Sequence, residues 1–387
     1  WHWIFYVNIP IGFVSLFFIW RLLPTVKTAR ATRNFDFLGG AIFTVAISAL
    51  LIGLTQKGQT DPATHRLYNW ADPTVGGLIV AALVGIAFFL WAETRAKEPI
   101  VPLQLFRNRT YAASMVATFF AAFAFFGAII FLPRWFQIVQ GFSPTWSGLA
   151  ALPLVAGLII SSIGSGLIVA RTGRYKWLTV GAIILMGIST LLMTQLRADT
   201  SLPVVWLWMF IAGLGVGPTF AVFTLVVQNA VPFNMLGVAT SNLTFFRQIG
   251  GTVALAIIGT VFSSSFFEQI GPQSVVSGAS PQSLQILGQA AATGALNLNQ
   301  LTGTGDLATG LQKALPALPA ADIPGIVAGI HQAFSLGVAQ TFWVGVGAAT
   351  LAALAAAAMQ ELALRRAHGP ETAGATADTR RALPTAD

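Results

Sequence analysis

Long apolar runs that carry almost no charge recur along the whole chain of 387 residues. Each run is about 19 to 26 residues long, and an α-helix needs about 20 apolar residues to cross the core of a bilayer. Strands of a membrane β-barrel would be about half as long and would alternate in polarity. We therefore predict nine membrane-spanning α-helices. The predicted spans are 3–23, 37–55, 75–93, 112–132, 148–170, 178–196, 204–227, 238–262 and 334–359.

The composition of the chain also indicates a membrane protein. Charged residues make up only 9% of it, against about 25% in soluble domains, which favours an all-α integral membrane fold. The net charge of +8 does not predict a nucleic-acid partner, because the basic residues are scattered between the apolar runs. The chain has no cysteine and its four histidines are far apart, so we expect no disulfide, no metal site and no cofactor.

The basic residues of the connecting segments indicate the orientation, because Lys and Arg are retained on the cytoplasmic side of a membrane. Fifteen of them fall on one side and five on the other, and Arg247 is left inside a span. We therefore predict a multi-pass protein of the cell (inner) membrane with a cytoplasmic C-terminus and an external Trp1.

A family resemblance begins in the first twelve residues, which read WHWIFYVNIPIG. They resemble the W-R-W-I-F-x-I-N-x-P-I-G signature that opens the sixth span of the fourteen-span drug:proton antiporters (EmrB/QacA-type) of the major facilitator superfamily, with His2 in place of the usual Arg. Four further segments resemble the same family. They are FDFLGG, EPIVPLQLFRNRTY, LPRWFQIVQGFSPTWSGLAALP and FRQIGGTVALAIIGTVF.

The resemblance implies a partial major-facilitator fold with about nine transmembrane helices, including the six-helix C-terminal half. Five spans upstream of Trp1 would be absent, so the missing N-terminal half of the same protein would be a partner of this chain. The odd number of predicted spans also suggests that upstream spans are missing, since such transporters are built from paired repeats. The implied organisation is the sixth span in 1–23, two central extra spans with cytoplasmic linkers in 24–110, the first five spans of the C-terminal half in 111–268, an external loop in 269–332, the last span in 333–360 and a cytoplasmic tail in 361–387.

The segment GLIVARTGRYK resembles the cytoplasmic gating motif of the superfamily, G-x-x-x-D-R-x-G-R-x-K. Its glycines allow a tight turn and close helix approach, and its basic residues can bond carbonyls and acids at the rim of the bundle. Ala170 stands where the motif has Asp, which puts the charge-relay part of such a gate in doubt. The basic residues either form a gate or only hold the topology. The candidate gate residues are Gly166, Arg171, Gly173, Arg174 and Lys176.

A single cation, Arg247, lies deep inside a predicted span. A charge inside a membrane is costly and by default marks a functional or paired position. Polar and small residues recur around it at helical spacings and build one face, which we expect to look into the protein. The alternative is that Arg247 extends to the lipid headgroups. The candidate residues of this polar face are Ser241, Thr244, Arg247 and Gln248.

Small residues interrupt another predicted span in its middle. Their G-x-x-x-G spacing permits close packing of helices, and the proline weakens the helix locally, so either packing or a hinge explains them. The residues concerned are Gly213, Gly217 and Pro218. Three phenylalanines at helical spacing, Phe119, Phe123 and Phe126, either line an apolar cavity or belong to the core.

No Asp or Glu lies inside a predicted span, since Asp36, Glu93 and Glu268 fall at the ends, although proton coupling needs a buried group that loads and releases protons. In the resembled family, the acids implicated in coupling lie in the first half. The resemblance implies secondary transport, namely proton-coupled efflux of drugs or amphipathic toxic compounds by alternating access, with a small molecule, protons and the lipid bilayer as partners.

Two alternatives remain open from the sequence. One is export of a lipid, a siderophore or another metabolite on the same fold, and the other is a non-transporting membrane scaffold or sensor. An enzyme is not expected, because the chain has no H-E-x-x-H, no G-x-S-x-G and no paired Asp inside a span.

Overall fold

The computed structural model describes residues 6, 8–22, 36–57, 68–96, 99–292 and 307–361. These residues form helices, turns and loops, with no strand among them. The chain divides into two units, residues 1–36 and residues 37–387. Helix α1, Asn8–Leu22, is the described helix of the first unit. It has 15 residues and is apolar.

The second unit contains eleven helices within the described ranges. They are α2 (Phe37–Gln56), α3 (Leu78–Glu93), α4 (Arg109–Ile138), α5 (Pro144–Ala150), α6 (Leu152–Thr172), α7 (Lys176–Met193), α8 (Leu202–Ala230), α9 (Leu236–Val276), α10 (Pro281–Ala292), α11 (Leu307–Ala314) and α12 (Ile323–Ala357). A π-helical turn, Pro73–Gly77, leads into α3. Short 3-10 turns lie at Leu103–Arg107, Phe233–Met235 and Ala320–Asp322.

Eight helical segments of the described chain are long and apolar enough to cross a membrane. They coincide with the predicted spans from the second to the ninth, so the predicted fold class, an all-α membrane protein, is confirmed. The first predicted span, 3–23, corresponds to α1, and its remaining residues except Tyr6 lie outside the described ranges. The tail beyond residue 361 also lies outside them.

Two helix ends differ by more than ten residues from the predicted span ends. Helix α9 continues from residue 262 to Val276, and α12 begins at Ile323 rather than at residue 334. Hydropathy decreases in both stretches, but the helices pack on each other there and remain regular. The crossing is close, since a Cβ at Gly329 would lie 2.6 Å from Ser274 Cα. The predicted external loop is thus partly helical, because α10 and α11 also lie within it.

Local sequence signals explain where several helices begin and end. Asn108 caps α4, since its Oδ1 accepts hydrogen bonds from Thr110 N at 3.0 Å and Tyr111 N at 3.2 Å. Ser143 caps α5 in the same way, with Pro144 in the first helical turn. Gly173 ends α6 with φ +71°, a left-handed conformation that favours glycine.

Helices α4 and α8 are the most deeply buried of the second unit. Helix α4 contacts α8, α9 and α12, whereas α8 packs on α6 and α7. A buried hydrogen bond joins α4 to α12, since Trp135 Nε1 donates to Ser335 Oγ at 2.8 Å. The α2–α3 pair packs on α9, where the rings of Phe43 and Phe245 lie 4.9 Å apart. Helix α9 therefore lies between this pair and the rest of the bundle.

Candidate functional site: an arginine between two packed helices

Arg247 of α9 lies against α8. Its Nη2 donates a hydrogen bond to the carbonyl oxygen of Thr219 at 3.1 Å. Its guanidinium carbon lies 4.1 Å from the ring centroid of Phe220, which is a cation–π contact. Phe125 of α4 braces this ring edge to face, at 5.7 Å between centroids. The half-buried charge is thus held by a carbonyl and an aromatic face of α8.

The rest of the predicted polar face is not covered. Ser241, Thr244 and Gln248 are exposed on the described chain, so no other described helix covers them, and the expectation that the face looks into the protein stays a prediction. The side of α9 that packs on its neighbours carries small and apolar residues instead, and Arg247 lies at the boundary of the two sides. Thr244 Oγ1 donates a hydrogen bond within its own helix, to Thr240 O at 3.3 Å.

Two consecutive glycines of α9 hold this helix close to α4. A Cβ at Gly250 would lie 3.0 Å from Phe119 Cα, and a Cβ at Gly251 would lie 2.5 Å from the Phe126 ring. Neither position has room for a side chain. The close approach of α9 to α4 is therefore part of what positions Arg247, which lies less than one helical turn before the pair. The sequence signal for this approach is the Gly-Gly of FRQIGG.

The predicted packing or hinge glycines lie where α6 crosses α8. A Cβ at Gly213 would lie 2.8 Å from Leu158 N, and one at Gly217 would lie 2.5 Å from Leu158 O. Ser161 Oγ of α6 donates to Gly213 O at 3.2 Å. The backbones are therefore in direct contact. Pro218 is buried inside α8 and directly precedes Thr219, whose carbonyl accepts the Arg247 hydrogen bond.

The predicted gate motif forms the end of α6, its connector to α7 and the start of α7. Arg171 and Arg174 are exposed, and Lys176 is half-buried with its Nζ 5.8 Å from the Trp177 ring. No atom of another described helix lies within 4 Å of the position where a Cβ of Gly166 would be, so the close approach expected at this glycine stays a prediction. Gly173 makes the tight turn.

A buried tyrosine, which the charge pattern of the motif does not reveal, anchors the connector. Tyr175 donates its hydroxyl hydrogen to Gln360 O at 2.8 Å, beyond the end of α12. The same carbonyl accepts a hydrogen bond from Thr110 Oγ1 of α4 at 3.0 Å. Nearby, Asn242 Nδ2 of α9 donates to the Tyr111 hydroxyl at 3.0 Å. The end of the bundle that carries the basic motif is therefore joined by polar contacts between α4, α9, α12 and the connector.

Glu93, Glu268 and Asp322 are acidic residues that lie in or next to the described helices. Glu93 ends α3 and its Oε2 accepts from Val101 N at 3.1 Å. Glu268 was expected beyond a span but lies inside the longer α9, where it is exposed. Asp322 lies at the start of α12 and accepts from Ser280 and Ser283. Within the described ranges, no three His, Asp or Glu side chains lie close enough together to hold a metal ion.

Residues 1–255 match the family model of the Major Facilitator Superfamily, which is more than half of the chain. The chain belongs to this superfamily. Superfamily members are membrane transporters and not enzymes, so the prediction that the chain is not an enzyme is confirmed.

Three relatives in this superfamily show how much of the chain is shared. An MFS-type transporter of Mycobacterium tuberculosis is 37% identical over 282 residues, covering 73% of this chain and 40% of the relative. The multidrug transporter protein MdtP of Bacillus subtilis is 36% identical over 68% of this chain and 47% of its own length. The tetracenomycin C resistance and export protein of Streptomyces glaucescens is 31% identical over the same shares. The chain thus spans less than half of the length of these relatives.

A solved structure of a bacterial homolog to the human lysosomal transporter Spinster, in an inward-facing and occupied conformation, also matches the chain. It is 16% identical, with a TM-score of 0.48, and the match covers 82% of this chain and 67% of that one.

Proposed function

We propose that this superfamily member is a secondary transporter that exports drugs or other amphipathic toxic compounds by alternating access, driven by inward proton flow. We place it in the fourteen-span EmrB/QacA-type group, in the cell (inner) membrane with a cytoplasmic C-terminus. The relatives named for multidrug transport and for tetracenomycin C export support efflux. The motifs at WHWIFYVNIPIG and FRQIGG support the group.

The observation that carries this proposal is the contact of Arg247 with α8. A cation inside an apolar helix is costly, and it is retained where it has a task. Here it bonds the carbonyl of Thr219, next to Pro218, rather than a carboxylate. A carbonyl is a weaker partner for a guanidinium than an anion is. Arg247 can therefore exchange this partner for a substrate group or for a carboxylate of the proton pathway as α8 and α9 move.

The basic connector has a proposed role in the same cycle. Arg171 and Arg174 are exposed at one end of the bundle. Tyr175, in the connector between α6 and α7, fixes this connector to the end of α12 through its hydrogen bond to Gln360 O. We assign these cations to a cytoplasmic gate that bonds helix-end carbonyls or acids of a facing surface when the pathway is closed on that side.

The test is efflux of a fluorescent amphipathic cation, ethidium, from cells that express the complete gene product containing this chain. Arg247→Ala should lower the initial efflux rate about tenfold or more, since a hydrogen bond to a charged group contributes about 1.5–3 kcal/mol. Arg247→Lys should retain part of the rate, because it keeps the charge and loses the planar fork. Collapse of the proton gradient with an ionophore should stop efflux by the wild type.

Arg197→Ala is the matched control. Arg197 also bonds carbonyl oxygens, at 2.8 Å to Leu196 O, but it lies in the connector between α7 and α8. Its removal should leave efflux near the wild-type rate. Wild-type efflux by a normally expressed Arg247→Ala protein would refute the role of Arg247, and efflux that persists without a proton gradient would refute proton coupling.

A further inference from the structure

A cavity of about 520 Å³ lies at the end of the bundle where α4 turns into α5. It is lined by residues 137–144 together with Leu307, Val327 and His331. The volume is in the range of pockets that enclose small organic molecules. The first lining residue on α4, Gln137, lies 12 residues beyond Phe125, the α4 residue next to the Arg247 contact, and 12 residues correspond to roughly 18 Å of helix rise. The cavity is thus separate from the Arg247 contact.

Hydrogen bonds hold the walls of this cavity in place. Trp135 Nε1 of α4 donates to Ser335 Oγ, and Ser335 Oγ donates at 2.8 Å to the carbonyl oxygen of His331 on α12. Gln137 Nε2 donates to Ser147 Oγ of α5 at 2.9 Å. Helix α4 is therefore joined both to α12 and to α5, which form three of the walls of the cavity. A ligand would meet a preformed site and would lose little free energy in ordering it.

The lining combines an aromatic surface with neutral hydrogen-bonding groups. The ring of Phe142 is stacked on that of Phe136, with centroids 5.9 Å apart and planes 16° from parallel. His331 is half-buried, and its imidazole makes no hydrogen bond within the described ranges. An imidazole N–H is a donor whatever the tautomer. Among the described residues, the lining includes no Asp, Glu, Lys or Arg, so its described part carries no carboxylate that would attract a cation or repel an anion.

Charges just outside the lining also favour an anion. Arg134 is exposed one turn before the cavity on α4, and Lys313 is exposed on α11, the helix that begins at Leu307. The nearest acid on α12, Asp322, is engaged by Ser280 and Ser283.

We propose that this cavity is a binding site for small aromatic carboxylates, in which the ring packs on Phe142 and the carboxylate accepts a hydrogen bond from His331. Nothing in this assignment requires transport, and it holds whether or not Arg247 takes part in efflux. It adds a ligand site at the end of the bundle opposite to the basic connector.

Cysteine protection in the purified complete protein tests the site. The chain contains no cysteine, so a single reporter can be placed at the cavity by Gln140→Cys in a background without other cysteines. The probe is naphthoate, and the readout is the rate of alkylation by a maleimide. At a naphthoate concentration of three times its Kd, labelling should slow about fourfold, because only the unoccupied fraction reacts. The control reporter, Ser201→Cys, is exposed at the same end of the bundle outside the cavity, and its labelling should not change.

Two further variants examine His331 in the Gln140→Cys background. His331→Leu should abolish the protection by naphthoate, whereas His331→Gln, which keeps an N–H donor, should retain it. Each variant must label without naphthoate at the parent rate, which shows that the cavity is intact. If His331→Leu changes the labelling rate without naphthoate, the test is the protection of His331→Gln alone. Protection equal to that of the parent supports the proposal, and loss of protection contradicts it.

Three outcomes would overturn the proposal. They are equal slowing at both reporters, no slowing at Gln140→Cys, and equal protection by the naphthylmethyl trimethylammonium cation, which has the same ring and the opposite charge.

Discussion

Tyr175 donates its hydroxyl hydrogen to the carbonyl oxygen of Gln360 at 2.8 Å, and this bond ties the basic connector between α6 and α7 to the end of α12. The Gln360 carbonyl also accepts from Thr110 Oγ1, so it stays paired if the tyrosine hydroxyl is removed. The neighbouring Tyr111 has the opposite role, since its hydroxyl oxygen accepts from Asn242 Nδ2, a buried donor.

The two tyrosines should therefore respond differently to loss of the hydroxyl. Tyr175→Phe should lower the free energy of unfolding by about 0.5–1.5 kcal/mol, the net value of one hydrogen bond. Tyr111→Phe leaves a buried amide without its acceptor and should cost about 1–3 kcal/mol. Thermal unfolding of the two variants in detergent shows which of them loses more stability. A greater loss of stability in Tyr175→Phe than in Tyr111→Phe would contradict the prediction.

The sequence predicted the helices better than it predicted their contacts. Apolar runs long enough to cross a bilayer require helices, because the backbone must satisfy its hydrogen bonds within the segment. Hydropathy alone ended α9 at residue 262, whereas packing of Ser274 against Gly329 continues it to Val276. Helix packing depends on three-dimensional neighbours that a hydropathy pattern does not contain.

The candidate site was predicted only in part for the same reason. Arg247 stands out in sequence as a cation in an apolar run, but its partner, Thr219 O, is a backbone atom and has no sequence signal. Tyr175 has no sequence signal of its own, because the charged residues around it define the motif and its partner, Gln360 O, is a backbone atom. The motif suggests that Gly166 packs against another helix, but it lies in open space in the structure. Gly250, in contrast, is tightly packed against Phe119.

Gly217→Ala should destabilise the protein, and Gly166→Ala should not. A Cβ at Gly217 would lie 2.5 Å from Leu158 O, a backbone atom that cannot move without separating α6 from α8. Overpacking of this kind costs about 1–3 kcal/mol. A Cβ at Gly166 meets nothing within 4 Å, and alanine favours a helix by up to about 1 kcal/mol over glycine.

Melting temperatures of the two variants measure this difference, with expression in the membrane as a check. A Gly217→Ala protein as stable as the wild type would show that the α6–α8 crossing relaxes easily. If Gly166→Ala keeps its stability and loses efflux, Gly166 approaches another helix in a second conformation, as the gating motif implies.

Asp322→Ala should release α10 from the start of α12. The Asp322 carboxylate accepts from the backbone N–H of Ser280 at 3.1 Å and from the hydroxyls of Ser280 and Ser283. These bonds hold the first turn of α10. Hydrogen exchange of the α10 amides should become several-fold faster, while exchange in α4 stays unchanged, because local openings depend on local contacts.

Asp199→Ala, in the connector between α7 and α8, is the control for loss of one negative charge at the same end of the bundle. Unchanged exchange in α10 after Asp322→Ala would mean that apolar packing alone holds this helix.

The Gly250–Phe119 contact makes a prediction that links packing to the arginine. A Cβ at Gly250 would lie 3.0 Å from Phe119 Cα, so Gly250→Ala must move α9 away from α4. Arg247 lies on the adjacent turn of α9, and its bond to Thr219 O depends on where that turn lies. Gly250→Ala should therefore lower both the melting temperature and the efflux rate.

Gly259→Ala separates this effect from a general change in α9. Gly259 lies on the same helix with nothing within 4 Å of its Cβ position, so its replacement should preserve stability and efflux. Combining Gly250→Ala with Arg247→Ala should lower efflux little beyond Arg247→Ala alone, because two changes that act through one contact are not additive. Additive losses of efflux would instead show that Gly250 acts independently of the arginine.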